Sequence, residues 1–417
     1  MAISSYIDEF ALDTGVVTTT QARSGYGHQP KLLIGFGNST TDASDTAGAD
    51  SVRFSFGMST GATERGCGFI AYQDGDASAN SYSGTYTSAF SGSLTLPGGP
   101  TIAGLWDTSS IDADGHTIVV DDQSTAGFIL KVLSLGGEGI EDAEVGTFDA
   151  STSTGDQNVT SVSFKPDAVI FVMNRPTFNP DTQVNDACIS IGAAAGASTI
   201  INACASVYSE DGSEPSDESS YSRIGECLST ASADQGVDRR GFVSAWLSNG
   251  FTISWAEVNA FDHPVIYLAI KSAPGHAFRI IQGTTATDTN PFTVNAVDVA
   301  PSAGLLFSCC RAKNSSNIAT ADGQLSVGAF SGVASQTSIG WFMEDNQSTT
   351  NSTMFTDFDS IYANINGSGT LDGEMAITGI TGSIIEFTMS NADPSAAFFW
   401  ALVCGESMTE YAAPIFF

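Results

Sequence analysis

Phe54-Ser-Phe-Gly57 recurs as Ile189-Ser-Ile-Gly192 and again as Leu325-Ser-Val-Gly328, and the three glycines stand 135 and 136 positions apart. Each glycine is followed 17 to 19 residues later by an aspartate that closes an aromatic and acidic cluster: Ala71-Tyr-Gln-Asp-Gly75, Val207-Tyr-Ser-Glu-Asp-Gly212 and Trp341-Phe-Met-Glu-Asp-Asn346. Repetition at a fixed long period is the signature of a duplicated structural unit. An apolar run precedes each glycine: Pro30-Lys-Leu-Leu-Ile-Gly-Phe36, Pro166-Asp-Ala-Val-Ile-Phe-Val172 and Pro301-Ser-Ala-Gly-Leu-Leu-Phe307. A proline opens each run, and the first position of a strand is where a missing N–H costs a sheet least. The units close on Gly127–Leu135, Pro264–Ile270 and Ala397–Val403. Gly136-Gly-Glu-Gly139 and Ala273-Pro-Gly-His276 set the boundaries, giving units 1–140, 141–275 and 276–417.

The texture between these landmarks is β. Phe251-Thr-Ile-Ser-Trp255 puts Phe, Ile and Trp on one face and Thr and Ser on the other, the period of a half-buried strand. No stretch of twelve or more residues carries helical periodicity, and 43 glycines suit turns and bulges better than helix interiors. A unit with several such strands buries their inner faces by closing as a two-sheet sandwich. The expected fold is all-β: three tandem antiparallel β-sandwich domains of about 135 residues each. A period this long lets each unit own a core and fold almost independently. The alternative is packing about a pseudo-threefold axis, which would give one chain the outline of a trimer.

Composition excludes several function classes. The 417 residues carry 46 Asp+Glu against 14 Lys+Arg, a formal charge of −32, so no surface is suited to neutralising phosphates. Nucleic acid and anionic membrane are therefore not expected partners. An apolar content of 42% excludes wholesale disorder. The first ten residues lack a basic segment followed by an apolar one, so synthesis in the host cytoplasm without a secretion signal is expected. Seven scattered cysteines without CxxC pairs read as small buried thiols. The acid excess suits a saline setting, where screening relieves self-repulsion.

In the second unit, Val145-Gly-Thr-Phe-Asp149, Val162-Ser-Phe-Lys-Pro-Asp-Ala-Val-Ile-Phe171, Gly250-Phe-Thr-Ile-Ser-Trp255 and Ile266-Tyr-Leu-Ala-Ile270 carry a family likeness. Together they resemble the module of tailed-bacteriophage virion structural proteins built from tandem H-type-lectin-like β-sandwiches. The resemblance covers most of the second unit and, more loosely, the third and first. The first departs from it in a Gly/Ser/Thr-rich stretch, Ser78 to Pro100. The resemblance implies a structural or surface-decorating role on a virion, with capsid or tail subunits as partners and host glycans as a further one. No lectin sugar-binding residue matches position by position, so no sugar site is carried over.

Signals for chemistry are sparse. The histidines at 28, 116, 263 and 276 lie beside glycine or proline with no neighbouring pattern that assigns a catalytic role. GxSxG, HExxH and GxxxxGK[ST] are absent from the sequence, and an enzyme is not expected. Asp112-Ala-Asp114-Gly and Asp74-Gly-Asp76 offer hard oxygens and are weak candidates for calcium; neither has EF-hand spacing, and turn aspartates bonding their own backbone explain them better. No other cofactor is expected. Glu210 to Glu218 packs five acids into nine residues and reads as an exposed loop. The tail places Tyr411, Ile415, Phe416 and Phe417 after the last strand, either folded back on the third unit or docked into a neighbour as an assembly anchor. The leading expectation is a non-enzymatic virion structural protein, capsid-decorating or tail-associated. The alternative is a glycan-binding adhesin with Tyr72, Tyr82, Tyr86, Tyr221 and Trp341 stacking on sugars from loops.

Overall fold

The computed structural model describes residues 2–39, 46–49 (backbone only), 51–96, 99–122, 124, 127–174, 181–260, 263–314 and 318–408. The chain is all-β, built from six antiparallel sheets, three of seven strands and three of four. Among the described residues the one helical element is a single 3-10 turn, Ala233–Gln235, and no helix is long and apolar enough to cross a membrane.

In the first unit the large sheet runs Ser4–Ala11, Ile129–Gly136, Pro30–Asn38, Val52–Ser59, Arg65–Tyr72, Ser81–Tyr86. The small sheet facing it runs Thr20–Ser24, Gly115–Asp122, Ile102–Asp112, Ser91–Leu94. The other two units repeat this order. Turns at 137–139 and 273–275 separate the last strand of one unit from the first strand of the next.

The recurrent Ser-x-Gly motif holds the two sheets of each sandwich together. Its apolar residues (Phe54 and Phe56, Ile189 and Ile191, Leu325 and Val327) face one side of the large sheet, while the serine and glycine face the small sheet. Ser55 Oγ accepts the Gly92 N–H at 3.2 Å, Ser190 Oγ the Ser229 N–H at 3.3 Å, and Ser326 Oγ the Ala363 N–H at 3.0 Å. A side chain on the glycine would strike the chain crossing between sheets. A Cβ on Gly57 would lie 1.8 Å from Phe90 O, on Gly192 2.0 Å from Cys227 O, and on Gly328 1.9 Å from Ile361 O.

The inner strands of the large sheets are buried on both faces, which is why they read as unbroken apolar runs rather than alternating ones. One face meets the small sheet; in the second unit this core centres on Phe171, Phe251 and Tyr267, packed edge to face. The opposite faces of all three large sheets share one central core. Phe54 of the first unit packs on Trp341 of the third with ring centroids 4.2 Å apart, and Phe56 packs on Phe307 at 5.9 Å. Near-independent folding of the units is therefore not what the packing supports, because each contributes a wall to the same interior.

The prolines differ from expectation. Pro30 opens its strand, but Pro166 lies two residues before Ala168–Asn174, and Pro301 sits third in Val299–Ser308 beside a register shift. A bulge tolerates a missing N–H as a strand end does.

Candidate functional site

The seventh strand of every large sheet comes from another unit. Thr182–Asn185 of the second unit pairs antiparallel with Ser81–Tyr86 of the first. Thr320–Ala321 of the third pairs with Glu218–Ile224 of the second, and Thr46–Ala49 of the first pairs with Ser352–Asp357 of the third. The exchange closes on itself: second to first, third to second, first to third. Each donated strand covers a sheet edge that would otherwise present unpaired N–H and C=O groups to other chains.

The aspartates that follow the glycines reinforce these junctions in the same direction. Asp74 accepts the Ser352 N–H at 2.7 Å, Asp211 the Ser81 N–H at 3.1 Å, and Asp345 the Glu218 N–H at 3.0 Å. Beside each lies a reciprocal pair of backbone bonds. Gly75 N donates to Thr350 O and Thr350 N to Asp76 O; Gly212 N to Ala79 O and Ala79 N to Ser213 O; Asn346 N to Ser216 O and Ser216 N to Gln347 O, all at 2.7–3.1 Å. A third contact also repeats. Asn174 Nδ2 donates to Phe69 O (3.1 Å) and Gly84 O (2.8 Å), Cys309 Sγ reaches Ser206 O (3.8 Å) and Tyr221 O (3.5 Å), and Asn38 donates to Thr356 Oγ1.

At this junction Glu218 is fully buried. Ser209 Oγ donates to its Oε1 at 3.0 Å, while Oε2 has no donor in hydrogen-bonding geometry. Burial, opposed by the hydroxyls of Ser216, Ser209 and Tyr72, pushes its carboxyl up to about 7. The segment Glu210 to Glu218 is thus partly a junction element and not simply an exposed acidic loop: Ser216 and Glu218 are buried, and its backbone bonds both other units.

The structure uses the calcium candidates in turns and junctions. Asp112 accepts from Ser110 Oγ and Thr117 Oγ1, both at 2.8 Å, and Asp114 accepts the N–H groups of Gly25 (3.1 Å) and Gly27 (2.6 Å). Asp76 accepts from the Asn80 amide, and Asp74 serves the junction described above. Among the described residues, the three acids whose ligand atoms come within 4.8 Å of one another are instead Asp357, Asp359 and Glu374.

Three of the four histidines, His28, His116 and His263, hold structural positions. His116 is buried with Nδ1 2.8 Å from the Tyr26 hydroxyl, and burial pulls it down to about 4. His263 is buried beside Asn259, and His28 bridges Tyr26 O and Ser134 Oγ. All seven cysteines are buried free thiols, with burial pushing Cys204, Cys310 and Cys404 up to about 12. The aromatics expected on loops lie on strands: Tyr72, Tyr82, Tyr221 and Trp341 are buried, and Tyr86 is partly buried against Phe69. The four buried rings are not available for stacking on a sugar. Tyr411, Ile415, Phe416 and Phe417 lie outside the described residues.

No family model and no curated protein matches the chain. Among solved structures it aligns with OmpT, an outer membrane protein of Vibrio cholerae, over 96% of this chain and 98% of that one, at 6% identity and a TM-score of 0.11. A likeness at that level carries no argument about fold or function.

Proposed function

We propose that this chain is a non-enzymatic structural protein of a tailed-phage virion, a capsid-decorating or tail-associated subunit that works through protein–protein contacts. The observation that carries the reading is the closed exchange of edge strands around a shared core. It gives a single chain the outline of a trimer with its large-sheet edges capped at the exchange sites, which suits a body that occupies a threefold position and resists opening. The link to threefold positions on a shell is an analogy at the level of fold. The likeness of the second unit to virion modules adds to it. The titratable groups that could do chemistry are mostly engaged in holding the fold, His116 and the cysteines among them.

The test is a map of the particle. Electron cryomicroscopy of purified virions carrying this protein should place many copies on the shell or along the tail, and the purified chain should bind empty shells. Absence from the particle would overturn the reading. A few copies at a tail tip, together with binding on a glycan array, would favour the adhesin instead, through residues other than the buried aromatics.

A further inference from the structure

The three junctions match one another position by position, and one of them is built differently. Ser81, Glu218 and Ser352 stand opposite Tyr72, Ser209 and Met343 in the strand registers, and each gives its N–H to an aspartate of the neighbouring unit. Two junctions thus carry a serine where the third, between the second and third units, carries Glu218. A second difference falls in the same place. Asn38 pairs with Phe54 as Asn174 pairs with Ile189, and both amides reach across to a neighbouring unit. The residue at their position in the third unit is Cys309, whose Sγ lies 3.5 and 3.8 Å from the carbonyl oxygens of Tyr221 and Ser206. A thiol is a weak donor where an amide offers two strong ones. The donated strand is also the shortest, with two register pairs against three and four, although Asn314 adds a reciprocal contact with Ser222.

The groups that face the Glu218 carboxyl are hydroxyls and an acid: Ser209 and Ser216 from its own unit, Tyr72 from the first and Asp345 from the third. Behind these lie further acids, Asp74 near Tyr72, and Asp217 and Asp322 near Asp345. Arg311 of the third unit is engaged with Asp322. Ionising Glu218 therefore sets a buried negative charge beside Asp345, in a place the other junctions fill with a neutral hydroxyl. Burial opposes that charge and pushes the carboxyl up to about 7. An opening that admits water removes the penalty, so the closed form is favoured below that pH and loses its advantage as pH rises through it.

We propose that the junction between the second and third units is a pH-gated latch: the donated strand Thr320–Ala321 lifts from Glu218–Ile224 when Glu218 loses its proton, while the other two junctions stay shut. The weak thiol contact of Cys309 and the short pairing lower the cost of opening at this place and no other. The opening is local and leaves the shared core packed. It goes beyond the role proposed above and does not rest on a place in a virion.

The test is amide hydrogen exchange of the full chain, read by NMR at pH 6 and pH 8 and corrected for the intrinsic pH dependence of exchange. The three matched N–H groups of Ser81, Glu218 and Ser352 report one junction each. Protection at Glu218 should fall by about tenfold between the two pH values, while Ser81 and Ser352 hold theirs. Glu218→Gln should abolish that fall, and Cys309→Asn should raise protection at Glu218 by about fivefold at pH 8. An equal pH response at all three amides, or at none, would overturn the proposal, and so would a response that Glu218→Gln retains. Should Glu218→Gln fail to fold, the comparison of the three amides in the unaltered chain and in Cys309→Asn still decides.

Discussion

Gly57, Gly192 and Gly328 show how much of this architecture rests on single atoms left out. Each has a backbone carbonyl where its Cβ would be, and backbone cannot swing aside as a flexible side chain does. Gly192→Ala should therefore cost about 3 kcal/mol or more, whereas Gly61→Ala, with nothing within 4 Å, should stay within about 0.5 kcal/mol; urea unfolding of the two variants checks the contrast. Glu218 supplies a pH signature. Its carboxyl is raised in the folded chain, so the favourable neutral form is fully present below about 4.5 and is lost as pH rises through about 7. Glu218→Gln should flatten the fall in stability across that window and leave the variant more stable at pH 8 by about 2 kcal/mol. Chemical denaturation of both proteins at several pH values measures it.

The donated strands were the least legible elements in the sequence. Thr182–Asn185 is four mostly polar residues, and Thr320–Ala321 only two. Their partners lie about a hundred residues away, so no local period marks them. The recurrent motif was legible, because each apolar-Ser-apolar-Gly run alternates between two buried faces, but its pairing with a crossing carbonyl was not. Aromatics such as Trp341 were misplaced onto loops because strands buried on both faces lose the alternation that marks their ends. The acidic group of the third unit did leave a trace. Counted from Asp211 and Asp345, Arg223 and Asp357 fall in phase, as do Arg240 and Glu374, so the charge reverses at matched positions. At the junctions, Asp211→Ala should speed amide exchange at Ser81 by about fivefold or more, the equivalent of roughly 1 kcal/mol, while exchange in Phe251–Trp255 stays unchanged. Hydrogen exchange read by NMR decides it. Equal acceleration throughout would mean that the aspartate acts on global stability alone.

At the scale of the whole molecule, the strand exchange and the common interior make three sandwiches interdependent. Removing one unit would expose the inward faces of the other two and strip one donated edge. The full chain's net charge of −32 adds repulsion to any opened form, more strongly at low salt. The most direct test is differential scanning calorimetry of the full chain. A single transition whose van't Hoff enthalpy matches the calorimetric enthalpy is expected, since no unit can melt without unmaking the core of the others. Separate transitions, or a van't Hoff enthalpy of about one third of the calorimetric value, would show three bodies melting on their own and would contradict the shared core.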